Sequence, residues 1–313
     1  MAGGVTVSPE HHKAAALVER ARAHGRVSAA VIYPCSAGAL EGAREARAAG
    51  LMEPVLVGPR TDIERLVREH GYDRDAFEIV DAADPLDATH RAATLVHEGR
   101  ARALVKGSLH SDELMRGLAS RKAGLLTSRR VSHVFVMDVP HHARLLFIAD
   151  AAVNVAPRLK VKRDITQSAI DLARAAGIET PKVAALSASE TVSEGVPSSV
   201  DAAALKDMAA RGEIAGGIVD GPLAFDLAVS AEAARIKGIE SPVAGAVDIV
   251  VVPTIEAGNV LYKSLVYLSG AIAGGIVMGL RAPVVLTSRA DSAASRVFSA
   301  ALASLLVHDQ ARV

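Results

Sequence analysis

Residues 27–58 read VSAAVIYPCSAGALEGAREARAAGLMEPVLVG, and the order of their parts decides the fold. VSAAVIYP and MEPVLVG are short apolar runs; SAGALEGAREARAAG between them has the Ala, Arg and Glu content of a helix. That helix is expected to open after Ser36 and to stop at Gly50, where a glycine suits the C-terminal end. Strand, helix, strand is a parallel βαβ unit. The pattern then repeats: a helix over 60–71, a strand over 77–82, a helix over 87–101 and a strand over 101–107. Further apolar runs at 131–138, 144–150, 182–189, 216–230, 247–253, 273–279 and 282–288 continue it. The expected class is α/β with a wound parallel sheet. Residues 187–199, SASETVSEGVPSS, are small, polar and punctuated by Gly and Pro, so they are expected to form a mobile loop. No repeat of solenoid period is present.

A chain of 313 residues is long for one domain and comfortable for two lobes, and half of it is hydrophobic. It has 35 basic and 35 acidic side chains, which argues against a nucleic-acid or acidic-membrane partner. Cys35 is the only cysteine, so neither an intrachain disulfide nor a cysteine-rich metal cluster is expected. The N-terminal residues hold no apolar signal core, and no run reaches the ~18 apolar residues of a membrane span. A cytoplasmic enzyme is the expectation.

Ligands of open parallel sheets bind beyond the carboxyl ends of the strands, so the residues that follow each apolar run are the candidates. After 101–107 come Ser108, His110, Ser111 and Arg116, with Lys106 closing the run; after 131–138 come His141 and His142. Asp150 and Asn154, Asp220, then Glu256, Asn259, Tyr262 and Lys263, and finally Thr287, Ser288, Arg289 and Asp291 follow later runs. The set is rich in phosphate donors and acids, has no metal-ligand spacing, and lacks GxGxxG and GxxxxGK[ST] motifs. Each has a plain structural reading. Glu256 and Asp220 read first as helix caps, Lys263 as a solvated helix residue, His141 and His142 as loop contacts, and Cys35 as a small core or loop residue. Ser288-Arg289 is different: a hydroxyl and a guanidinium at the end of a strand, before a helix, make an anion site.

The segments LVKGSLHSDELMRG (104–117), VSHVFVM (131–137), IADAAVNVAP (148–157), IVDGPLAFDLAVS (218–230), SPVAGAVDIVVVPTIEAGNVLYKSLVYL (241–268) and APVVLTSRADS (282–292) together resemble the phosphate acetyltransferase/phosphate butyryltransferase family. The EAGN–LYKSL–Y wording is more like the butyryl branch. The resemblance implies two wound parallel-sheet lobes around a cleft, similar to isocitrate/isopropylmalate dehydrogenases. One lobe would be 1–138 plus 285–313 and the other 139–284. It also implies a homodimer or higher homo-oligomer. The implied reaction is acyl-CoA plus phosphate giving acyl phosphate plus CoA, by direct attack. CoA would be a substrate, with no permanently bound cofactor and no metal.

Carried over, Arg289 matches the family's phosphate- and CoA-site arginine, and Ser288 the serine that hydrogen-bonds the thioester carbonyl. The aspartate base of the acetyl branch falls on Ser295, and the cysteine of its DCAxN segment on Ala151. Asp291 is therefore favoured as base, narrowly over Glu256. Lys106, Ser108, His110, Asn259, Tyr262, Lys263 and Asp220 complete the expected substrate-binding set. Three rival readings are an acyltransferase that uses acyl-carrier protein, a decarboxylating dehydrogenase, and a CoA-binding protein without turnover. The SRADS and AGN–YK wording argues against the first, and the missing ligand set against the second.

Overall fold

A computed structural model describes residues 9–73, 76–286 and 291–311. The chain divides into two compact units, 1–129 with 274–313, and 130–273.

In the first unit, the 3₁₀ turn Pro9–His11 leads into α1 (His12–Ala23). β1 (Val27–Ile32), α2 (Ala37–Ala48) and β2 (Met52–Gly58) follow, then α3 (Arg60–Glu69) and β3 (Glu78–Asp81). Next come α4 (Pro85–His97), β4 (Ala103–Lys106) and α5 (Ser111–Leu118). Ser36 caps α2 by accepting from the Ala39 N–H, as the sequence predicts. Gly50 follows at φ 73°, where a glycine avoids the steric cost of a Cβ. β1 pairs in parallel with β2 (Val27↔Met52) and with β4 (Val31↔Val105).

The second unit holds β5 (Ser132–Asp138), β6 (Leu146–Ala149), α6 (Leu159–Ala175), β7 (Lys182–Leu186), α7 (Pro197–Ala210) and β8 (Ile218–Leu223). It continues with α8 (Phe225–Val229), α9 (Ala231–Ile236), β9 (Ile249–Val251) and α10 (Ile255–Ser269). β10 (Ile272–Met278) returns the chain to the first unit, where β11 (Val284–Val285) and α11 (Ala293–Gln310) complete it.

The strand order is β3-β2-β1-β4-β11-β10 in the first unit and β5-β6-β9-β7-β8 in the second. The direction in which successive strands are added reverses between β1 and β4 in the first unit, and between β9 and β7 in the second, although both pairs are parallel. Such reversals are where open α/β sheets bind ligands.

Three expectations need correction. The sheets are mixed, not wholly parallel: β5 runs antiparallel to β6 and β10 to β11. The links 139–145 and 279–283 are too short for a parallel crossover, which takes a dozen or more residues. The apolar run 216–230 is not one strand, because 225–229 form α8 after the strand ends at Leu223. The loop expected over 187–199 ends early, since α7 starts at Pro197, and serine hydroxyls hold what remains. Ser199 Oγ accepts from the Ser193 N–H at 2.9 Å and donates to the Val196 carbonyl at 2.7 Å.

Candidate active site

The turn after β4 is shaped by Gly107. Its N–H donates to the Ile32 carbonyl at 2.9 Å, and the Ser108 N–H donates to the Tyr33 carbonyl at 2.8 Å. A Cβ on Gly107 would lie 2.3 Å from that Ile32 oxygen, so only glycine lets the two strand ends approach this closely. The contact brings Ser108 Oγ to 2.8 Å from Ser36 Oγ, at the start of α2. Lys106 is buried, with Nζ 3.4 Å from the Gly107 and Leu109 carbonyls. Strand alternation turns Val105, not Lys106, to the same face as Val31. Lys106, Gly107, Ser108 and Ser36 stand at one end of a cavity of about 460 Å³ that lies wholly within the first unit. His110 does not join them: it is exposed and lines a separate recess with Asp112, Glu113 and Arg116.

Ser288 and Arg289 lie outside the described residues. Asp291, half-buried, precedes the Ser292 cap of α11. Ser292 Oγ accepts from the Ser295 N–H at 3.2 Å, so the residue at the acetyl-branch aspartate position belongs to a helix cap.

Arg296 is a residue that sequence reasoning missed. It pairs in two prongs with Glu45 (Nε–Oε2 and Nη2–Oε1, both 2.8 Å), and Nη1 donates to the Asp291 carbonyl at 2.8 Å. It therefore ties α2 to the backbone just beyond residues 287–290. No local signal marks it, because an arginine in a helical pattern reads as solvated.

In the second unit, Glu256 lies in the first turn of α10, whose cap is Thr254. Its carboxyl sits below the ordinary range because its own backbone N–H, and the Thr254 side chain, hydrogen-bond the charged form. Glu256, Asn259 and Lys263 share one stripe of α10 by spacing, with Glu256 and Lys263 exposed. Tyr262 packs into the core and stacks on Phe135, with ring centroids 3.9 Å apart and planes within 3°. Asp220 is buried within β8 and is not a helix cap. Burial pushes its carboxyl up, but Lys206 (2.7 Å), Ser241 and the Gly221 N–H together bring it below the usual value. Asp150, after β6, accepts from the His133, Ala152, Val153 and Asn154 N–H groups and from Asn154 Nδ2. That engagement makes Asp150 and Asn154 organisers of their turn.

Burial pushes the Cys35 thiol up to about 11, with Asp62 adding to the effect. Almost none of it is thiolate at neutral pH, and the thiolate is the nucleophile. Cys35→Ser is expected to keep most of its activity. An acyl group trapped on Cys35 from radiolabelled acyl-CoA would contradict this. Among the described residues, no group of three or more His, Cys, Asp or Glu could hold a metal, and no helix is long and apolar enough to cross a membrane.

The architecture is that of a phosphotransacylase. A branched-chain phosphotransacylase from Enterococcus faecalis superposes with a TM-score of 0.79 at 30% identity, over 90% of this chain and 99% of that one. The phosphate acetyl/butaryl transferase family model matches residues 84–304, and the chain belongs to that family. It is 53% identical to the phosphate acetyltransferase of Rhizobium meliloti over 92% of each chain. It is 43% identical to the phosphate butyryltransferase of Clostridium acetobutylicum, over 85% of this chain and 89% of the relative.

Proposed function

We propose that this protein transfers a short acyl group between CoA and inorganic phosphate: acyl-CoA plus phosphate gives acyl phosphate plus CoA, reversibly. The observation that carries this is the family match over 84–304, a span that contains all the expected catalytic and substrate-binding residues. A phosphate oxygen attacks the thioester carbonyl, the C–O bond forms, the C–S bond breaks, and the leaving sulfur ends as the CoA thiol. Arg289 grips two phosphate oxygens through its planar fork. Ser288 donates to the oxyanion, a contact worth roughly 2.7–4 kcal/mol. Holding the two substrates in attack geometry supplies up to ~7–11 kcal/mol more. Asp291 takes the thiol proton in the reverse direction. Lys106, Ser108, His110, Asn259, Tyr262, Lys263 and Asp220 bind substrate, with Lys106 and Ser108 best supported by their place at the cavity. CoA is a substrate and nothing is bound permanently. A cytoplasmic homodimer belongs to the same reading.

The finer fold assignment is part of the proposal. The two units, 1–129 with 274–313 and 130–273, would be of isocitrate/isopropylmalate dehydrogenase type. The chain's return to the first unit at its end supports it.

Acetyl-, propionyl- or butyryl-CoA is expected to release free thiol only when phosphate is added. No phosphate-dependent release with any of the three would sink the reading. In the acyl-phosphate-to-CoA direction, Asp291→Asn should lose rate and the acid limb of the pH–rate profile, with CoA binding nearly unchanged. Loss of both in Glu256→Gln instead would move the base to Glu256.

A further inference from the structure

The cavity of the first unit runs between its sheet and helices α2 and α11. Its accessible end carries Ser36, Gly38, Ala39 and Ser108, exposed or half-buried; its closed end is made of Ala29, Ala46, Met52 and Ala300, all buried. α2 descends from the carboxyl ends of the strands, so the volume follows the strands inward from the turn at Gly107. The reason it is not filled lies on α2. Ala39, Gly42, Ala43 and Ala46 fall at i, i+3, i+4 and i+7, one helix face, and none has an atom beyond Cβ. From Ala39 to Ala46 that face spans about 10 Å. Gly42 also makes room for Arg296, whose Cδ would be 3.1 Å from a Cβ there.

The polar side chains of the lining are Ser36, Ser108, Lys106 and Arg296. Arg296 is committed to Glu45 and the Asp291 carbonyl, Lys106 reaches backbone carbonyls, and the two serines are at the accessible end. The closed end offers no polar side chain. An adenine ring or the amides of pantetheine would leave their polar groups unpaired there, which is costly. An alkyl chain has none to leave.

We propose that this cavity holds the acyl chain of the substrate, carbonyl towards the serines, and that its small-residue face admits chains longer than acetyl. The proposal rests on the acyltransferase reading above and names the part of the substrate that the site selects. Ala46 and Met52, at the closed end, set the limit of length.

The test is the hexanoyl-to-acetyl ratio of kcat/KM, from phosphate-dependent thiol release. Wild-type protein is expected to use butyryl- and hexanoyl-CoA. Ala46→Leu shortens the cavity and should lower the ratio roughly 10-fold or more, the discrimination one methylene commands in an apolar pocket. Met52→Ala deepens it and should raise the ratio for octanoyl-CoA. Wild-type ratios in both variants, with cooperative thermal unfolding retained, overturn the proposal, as does a wild-type enzyme that turns over acetyl-CoA alone. If Ala46→Leu does not fold, Met52→Ala decides: a raised ratio supports, an unchanged one overturns. No thiol release from wild-type protein with any acyl-CoA is a separate result, and it strikes the acyltransferase reading itself.

Discussion

Arg289→Gln is expected to lower kcat/KM for phosphate by roughly 10- to 150-fold, mostly through a higher KM, while unfolding stays unchanged. The figure is the ~1.5–3 kcal/mol that a hydrogen bond to a charged group is worth, converted at 1.36 kcal/mol per tenfold. Glutamine keeps polarity but is shorter and loses the charge that offsets phosphate. Arg289→Lys should recover only part of the loss, because an ammonium is a point charge and cannot hold two oxygens in a plane. Steady-state rates with phosphate varied at saturating acyl-CoA check both. Near-wild-type kinetics in Arg289→Gln would remove this arginine from the phosphate site.

Arg296→Met is expected to cost about 3 kcal/mol of stability in urea unfolding, the low end for breaking a buried pair. The lower figure applies because the Arg296 side chain keeps 24% exposure while Glu45 keeps 4%. Methionine fills the stem's volume but leaves the Glu45 carboxylate buried without its cation. It also frees the Asp291 carbonyl, so activity should fall along with stability. The double variant Glu45→Leu/Arg296→Met should recover most of the stability, since a buried pair replaced by apolar groups is often neutral. It should not recover the activity, because nothing then holds the backbone at Asp291. A double variant as unstable as the single one would mean that the ion pair is not the cause.

Much of the architecture is legible without the structure, because its determinants are local. Ser36 can cap α2 and Gly50 can follow it whatever lies elsewhere in the chain, since each acts within one helical turn. The alternation of apolar runs with helical segments places β1 to β4 within a few residues of where they stand. The lengths of 139–145 and 279–283 also held the information that those links are hairpins, although the apolar runs on either side read as further parallel strands. Segment order carried the family as well, because DGPL, SPVAG, AGN–YK and SR are contiguous wording.

What the tertiary structure decided is whatever depends on residues distant in the chain. Glu45 and Arg296 are 251 positions apart, and each alone reads as a solvated charge on a helix. Gly107 needs to be glycine only because the backbone of Ile32 and Tyr33 arrives there, with the Ile32 oxygen 2.3 Å and the Tyr33 oxygen 2.6 Å from where its Cβ would be. The helices and strands of 27–107 could be read from the chain alone, because hydrogen bonding and periodicity act over a few residues; the helix inside the apolar run 216–230 could not. The cavity beside α2 had no such origin: its Ala/Gly face borders a cavity only when β1, β2, β4, β11 and α11 close around it, since a void is a property of packing between elements and not of any one of them.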